Sequence, residues 1–444
     1  MVRIAIIGAG LAGACVSRSI ANLSNYLENF SDAPQVDKKN TYLKELVIYE
    51  KTGSVTDALS QSASGNPFAI IHPHLTINWE KWELNEIGLN ISRKWISELN
   101  FALGNIVGNM CGIVRIPKNS IEASKWEKLI DQNKYGRFTT LNRKQIKKII
   151  GKEVGYEFAI MEENFGWISP KSFVMSCLKD TRKKIGNRLK VVVNANVKKI
   201  HSDGFKKKLE LGNFSDDISK GFSASFDVVI LTTGSGSPEF LRLNDLIREP
   251  CISRNRIGRP KNIKKDEILQ LVNGQLTSFK IKKNDINSLR LKNIVCKRGY
   301  LSPLINGKIY SGSTYDRVND DCLVTLKKNL DINRDRFYEF VGSMDLIDSL
   351  ENRRSKRCVS FDKLPLVGKP EVTSHNFFIF TALGSRGFTY APMLSEFLAH
   401  NIFQPERIIK RKFNKNELSA FPFLMTESTK QKISQLIEFQ RIYK

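Results

Sequence analysis

At 444 residues the chain is too long for one comfortable core and suggests two domains, and its 41% apolar content is ordinary for a folded protein. Its 70 Lys and Arg against 45 Asp and Glu leave a formal charge of +25. Such a balance favours a polyanionic partner such as nucleic acid, and a Lys-rich genome bias gives no reason for the acids to lag so far. No apolar run approaches the roughly 18 residues of a membrane span. Seven scattered cysteines without a CxxC pair argue against a disulfide framework or zinc site and fit a reducing cytoplasm.

The first predicted element is a short apolar strand, Ile4–Ile7, within IAIIGAG, too short for a signal-peptide core and read as a buried strand. Gly8-x-Gly10-x-x-Gly13 follows and opens a helical pattern. In a dinucleotide fold the first glycine allows the tight turn, the second lets backbone approach a pyrophosphate, and the third lets helix and strand pack closely. The helix start, at Leu11 and Ala12, supplies free N–H groups and a positive dipole end for phosphate. The second strand, ELVIYEK, ends in Glu50 and Lys51, with Glu50 placed to hydrogen-bond a ribose. Glu50 follows Gly13 by 37 residues, where roughly 20 is usual, so polar Ser24–Lys44 reads as a surface insertion. An acid at this strand end predicts an unphosphorylated ribose, hence NAD or FAD.

SASGNPFAIIHPHL (Ser62–Leu75) comes next; its His72 and His74 lack a Cys or carboxylate cluster and read as a satisfied turn, with no metal site. FGWISPKSFVMSCL (Phe165–Leu178) precedes a basic helix and a strand, Val191–Val197. FDVVILTTGSG (Phe226–Gly236) is a buried strand ending in the turn Thr233-Gly234. Gln275–Ile281 and Gly307–Asp316 alternate like strands of a mainly antiparallel sheet. RRSKRCVSFDKLPLVG (Arg353–Gly368) leads into FFIFTALGSRGFTYAP (Phe377–Pro392), where Gly384 and Gly387 flank Ser385 and Arg386. The basic cluster Arg353, Arg354, Lys356 and Arg357 reads locally as a solvated face as well as it reads as a site. Arg407–Lys444 reads as a basic helix, either a nucleic-acid-facing arm or a solvated one.

Taken together, ASGN, GWISP, GYLSP, the Arg-Cys-x-Ser-x-Asp-x-LPLVG run and ALGSRG with its nearby Ala-Pro resemble the D-amino-acid-oxidase-like flavoenzymes. Within that group they look most like the FAD-dependent oxidoreductase half of the bifunctional tRNA 5-methylaminomethyl-2-thiouridine biosynthesis enzymes, over nearly the whole chain. The resemblance implies an α/β (α+β) fold, a Rossmann-like FAD-binding domain with an inserted, mainly antiparallel substrate domain. Residues 1–100, 165–240 and 355–405 would form the first, 101–164 and 241–354 the second, and 406–444 a basic helical tail.

It further implies non-covalent FAD, there being no cysteine in the C-terminal loop. The cofactor would be held by Gly8, Gly10, Leu11, Ala12, Gly13, Glu50, Lys51, Ser64, Gly65, Asn66, Val197, Thr233 and Gly234, and by Gly384, Ser385, Gly387, Phe388 and Thr389. Arg357 aligns with the arginine that grips a substrate carboxylate, a task suited to a planar guanidinium fork, and Arg386 contacts flavin or substrate. Pro67, Phe68 and Ala69 depart from the Arg, Gln and Gly usual in the closest relatives, so the resemblance does not carry a substrate contact over to that turn.

The implied reaction is oxidative removal, as glyoxylate, of the carboxymethyl group from 5-carboxymethylaminomethyl(-2-thio)uridine at the tRNA wobble position, leaving 5-aminomethyl(-2-thio)uridine. The alternative is an FAD-dependent oxidase of a free small amino acid. The expected partners are the tRNA anticodon stem-loop, molecular oxygen or another electron acceptor, and a separate tRNA methyltransferase acting on the product, since no methyltransferase half precedes the glycine motif here.

Overall fold

The computed structural model describes residues 1–29, 42–73, 75, 79–104, 107–131, 138–203, 206–212, 225–246, 253–254, 260–261, 268–289, 291–317, 323–370, 376–404 and 427–436. Six strands make the first sheet: Val2–Ile7 (β1), Leu43–Tyr49 (β2), Leu189–Val192 (β3), Val228–Leu231 (β4), Leu366–Gly368 (β5) and Phe377–Thr381 (β6). Their order is β5-β6-β4-β1-β2-β3, and every pairing is parallel except that of the edge strand β5. Strands such as VVIL and FFIFT are buried at every position, as a parallel sheet covered on both faces requires.

The period of two sorts these strands between two cores. Ile4, Ile6, Ile48, Ile230 and Phe380 face a layer of four helices, Leu11–Asn29 (α1), Trp79–Leu103 (α2), Pro170–Ile185 (α3) and Gly387–Phe403 (α4). Ala5, Ile7, Tyr49, Val229 and Ile379 face the other way, onto the hairpin Val197–Asp203 and Lys206–Leu211. In the helix layer α1 packs on α3 and α4, and α4 packs on α2.

The second sheet has nine strands and is antiparallel apart from the contact of Ile294–Cys296 with Ile113–Arg115. Its spine is the ladder of Leu269–Ile281 with Ile347–Ser360, running from Leu269 opposite Ser360 to Ile281 opposite Ile347. Arg357, assigned from the sequence to the first domain's closing segment, lies on this ladder opposite Val272 and so belongs to the second sheet.

Several sequence-based assignments change. Val191–Val197 is not one strand: β3 ends at Val192, and Asn194 turns the chain in the left-handed region (φ 53°). Asn194 and Ala195 then donate their N–H groups to Thr52 O and Glu50 O, and Val197 begins the separate hairpin. The expected insertion Ser24–Lys44 is shorter, because Ser24–Asn29 continue α1 with Ser24 buried, and Leu43 and Lys44 open β2. Residues 30–41 lie outside the described residues, as do His74 and most of the basic tail, including Lys410, Arg411, Lys412 and Lys415. The described part of that tail, Glu427–Leu436, packs on α2 and buries Ile433 in the main core. Among the described residues no helix is long and apolar enough to cross a membrane, and no cluster of His, Cys, Asp and Glu suits a metal ion.

Candidate active site

The turn from β1 into α1 forms a cradle that only glycine permits. Gly8 has φ 106°, and a Cβ there would lie 2.9 Å from Thr232 O. A Cβ on Gly13 would lie 2.0 Å from Gly8 O, so the first turn of α1 can sit against the strand end only without one. The Thr232 hydroxyl, at the end of β4, reaches both Ile7 O and Gly8 O at 2.9 Å and ties the two parallel strands together under the cradle. At the end of β2, buried Glu50 accepts the N–H of Ala9 at 3.0 Å and that of Thr52 at 3.3 Å, which fixes its carboxylate beside the cradle. The Leu11 N–H donates to Ser64 Oγ at 3.0 Å, joining the helix start to the Ser62–Asn66 turn.

A cavity of about 760 Å³ opens from this cradle, within the roughly 300–1,000 Å³ of small-molecule sites. Gly8, Gly10, Leu11, Ala12, Glu50, Lys51, Ser64, Asn66, Thr233 and Gly234 line one part of it. Gly384, Ser385, Arg386, Gly387, Phe388 and Thr389 line another, and Arg357 with Tyr300 and Ser313 a third. Gly13 and Gly65 stay off the wall and act through close backbone packing, Gly65 against Leu59 O. Val197 is also off the wall: it packs with Ala195, Leu209 and Phe226 in the core beneath β1, because the hairpin's period of two turns it inward. A glycine cradle, an open helix N-terminus, a fixed acid at the second strand end and a cavity of this size fit FAD.

The C-terminal loop reaches the cradle directly, since a Cβ on Gly387 would lie 2.9 Å from Leu11 Cδ2. α4 starts there and is clamped from behind by α2, through contacts the sequence did not signal. A Cβ on Gly88 would lie 2.3 Å from Thr389 O, and the Ser92 hydroxyl donates to Phe388 O at 2.6 Å. Tyr390 donates to Asn85 Oδ1 at 3.1 Å and Trp95 Nε1 to Glu396 at 2.9 Å.

The basic cluster on Ile347–Ser360 divides by face. Lys356 is exposed, but Arg353 donates to Leu59 O, Ser60 O, Ser62 O and Asn66 Oδ1 at 2.7–2.9 Å, and so holds the turn that carries Ser64. Arg357 points into the cavity, and its guanidinium donates to Ser313 Oγ. It lies over Gly274, where a Cβ would come within 2.0 Å of Nη2. Burial lowers the Arg357 pKa from its ordinary value, and neighbouring Tyr300, Tyr315 and Asp316 oppose that shift. Phe68, at the position departing from the usual pattern, packs its ring 5.3 Å from Tyr300 and 5.4 Å from Tyr310 on the cavity wall.

Arg115, on the cavity wall, donates to fully buried Glu162 behind it at 3.0 Å and to Pro73 O at 3.1 Å. Burial pushes the Glu162 carboxyl up to about 7 from an ordinary 4.5, against the pull of Arg115. The folded chain therefore holds this proton over a range where the unfolded chain has lost it, so stability falls as pH rises from about 4.5 to about 7. Melting temperatures across that window should show the slope in wild type and a flatter one in Glu162→Gln; parallel curves would place the titration elsewhere.

Residues 3–401 match the family model described as FAD dependent oxidoreductase, DAO. The bifunctional tRNA 5-methylaminomethyl-2-thiouridine biosynthesis protein MnmC of Pseudoalteromonas atlantica is 24% identical over 440 residues, covering 90% of this chain and 56% of that protein. The chain thus spans about half the length of the curated relatives it matches. Among solved structures, glycine oxidase from Bacillus cereus superposes with a TM-score of 0.67 at 16% identity, covering 92% of this chain and 97% of that one. Iminodiacetate oxidase from Chelativorans sp. BNC1 gives 0.65 at 14%, covering 93% and 96%. With a match running from the glycine cradle to the end of α4, the chain belongs to the DAO family of FAD-dependent oxidoreductases.

Proposed function

We propose that this chain oxidises the carboxymethylaminomethyl group of a wobble uridine in tRNA, releasing glyoxylate and leaving an aminomethyl uridine. The carrying observation is Arg357, fixed on the cavity wall by Ser313 and Gly274 in a chain of charge +25. The name of the bifunctional relatives supports the same reading. When bound, FAD supplies the two-electron acceptor for the carbon between nitrogen and carboxylate, after which water splits the C=N bond. The cradle residues Gly8, Gly10, Leu11, Ala12 and Gly13, with Glu50 and Lys51, would hold its pyrophosphate and ribose.

Arg357 grips the carboxylate through its planar fork and sets the reacting carbon in line. The α4 N-terminus lines the cavity at Gly387 and Phe388 and would turn its positive dipole end toward bound FAD, where it favours negative charge, while the Thr389 N–H is already held by Arg386 O. Arg386 adds a cation on that side. Phe68 and Tyr300 supply an apolar wall that excludes water. The acceptor that restores the cofactor is molecular oxygen or another oxidant.

The test is anaerobic bleaching of the flavin by tRNA bearing carboxymethylaminomethyl uridine, with glyoxylate measured. Bleaching should accompany one glyoxylate per flavin, and tRNA binding should weaken steeply with salt as neutralised phosphates release counterions. Bleaching by free sarcosine but never by the tRNA would replace this reading with a small-amino-acid oxidase.

A further inference from the structure

Tyr315 is the one large, strongly exposed apolar residue among the described residues that lines the cavity. It is 55% exposed, yet it stands two residues from Ser313, which accepts from Arg357, and lines the same cavity as that arginine. The backbone on either side is pinned. Thr314 is buried, its N–H donates to Gln275 O at 3.1 Å, and its hydroxyl oxygen accepts the Gln275 N–H at 2.9 Å. Asp316 accepts from the buried Asn329 amide at 2.6 Å and from the Thr314 hydroxyl at 3.2 Å. An aromatic ring held open to solvent by fixed neighbours is a preorganised surface rather than a leftover of packing.

Cations line the same cavity. Arg298 and Lys356 line it, are exposed, and form no ion pair among the described residues. The Arg298 backbone sits in the left-handed region (φ 50°), with its carbonyl held by buried Arg336 Nη2 at 2.9 Å. Arg115 and Lys297, which also line the cavity, already answer Glu162 and Glu339. A free amino acid whose carboxylate rests on Arg357 has no use for an outer ring and two unanswered cations. A single nucleotide drawn out of an RNA loop has use for both, since bases stack on aromatic rings and phosphates seek Arg and Lys.

Building on the RNA substrate proposed above, we propose that Tyr315 is the stacking platform for the base that carries the reacting side chain, with Arg298 and Lys356 on its flanking phosphates. The reacting side chain would then set its carboxylate on Arg357 and its base on the ring two residues beyond Ser313.

The test uses the full chain loaded with FAD and a synthetic anticodon stem-loop RNA carrying carboxymethylaminomethyl uridine. Its Kd is read by fluorescence anisotropy for wild type, Tyr315→Ala and Tyr315→Phe. The Ala variant should bind about 10- to 100-fold more weakly and the Phe variant like wild type, because the ring does the stacking. Acetate, read by its perturbation of the flavin spectrum, reports Arg357 alone and should bind all three forms equally. Unchanged RNA affinity in Tyr315→Ala would overturn the proposal. So would equal losses in Ala and Phe, which mean a hydroxyl contact, or a parallel loss for acetate, which means a prop for Arg357. Wild type that neither binds nor oxidises the RNA would sink the substrate reading itself, and that result is seen before any variant is made.

Discussion

Replacing Arg357 with alanine should slow flavin reduction by carboxymethylaminomethyl tRNA about 100-fold or more, the cost of losing alignment of a reacting carbon, while leaving RNA affinity and flavin content nearly intact. Most RNA binding energy comes from phosphates, which Arg357 does not meet at its place inside the cavity. The cofactor cradle draws on β1, β2, β4 and α1, none of which carries this residue. Arg357→Lys should recover only part of the rate, because a point charge cannot reproduce the two-pronged grip. Gly274→Ala should imitate Arg357→Ala without touching the arginine, since the new methyl would occupy the place of Nη2. Stopped-flow bleaching of all four proteins under nitrogen decides the matter. Equal rates in wild type and Arg357→Ala would remove this residue from the chemistry.

Gly10→Glu should yield a colourless protein. A Cβ there would already lie 3.2 Å from Ser64 Oγ, the group that accepts the Leu11 N–H. The carboxylate beyond it would stand at the helix N-terminus where the pyrophosphate belongs. Added FAD should raise the melting temperature of wild type, because a ligand bound only by the folded state stabilises it by mass action. The variant should melt at one temperature whatever the FAD concentration. Flavin retained at wild-type stoichiometry would mean that the cofactor sits elsewhere.

What the sequence disclosed follows from how local each signal was. The cradle could be read because its strand, three glycines and helix start lie within 20 residues, and each glycine answers one steric demand. β4 and β6 could be read because strands buried on both faces are continuous apolar runs. The long strand Ile347–Ser360 could not, since its partly exposed, charge-rich stretch shows no clean alternation. Arg353 looked like one more surface cation because its partners are carbonyls at 59–62, almost 300 residues away. The grip of Gly88 and Ser92 on the start of α4 left no local trace either, one being a lone glycine in a helix and the other a serine among many. Val191–Val197 read as one strand because composition suggested a straight run where Asn194 bends the chain.

The order of the first sheet has a consequence for how the chain is made. β1 can pair with β2 soon after both leave the ribosome, but its other edge waits for β4, more than 220 residues later, and the wall at Gly387 later still. At roughly 5–20 residues per second, synthesis takes about 20–75 s to go from the first strand to the last piece of the cradle. Throughout that interval the nascent chain presents an apolar strand edge with no neighbour, the kind of surface that pairs with the wrong molecule. Truncated products ending before α4 should accordingly bind no flavin and aggregate, and the cell's chaperones should meet this protein early and hold it long.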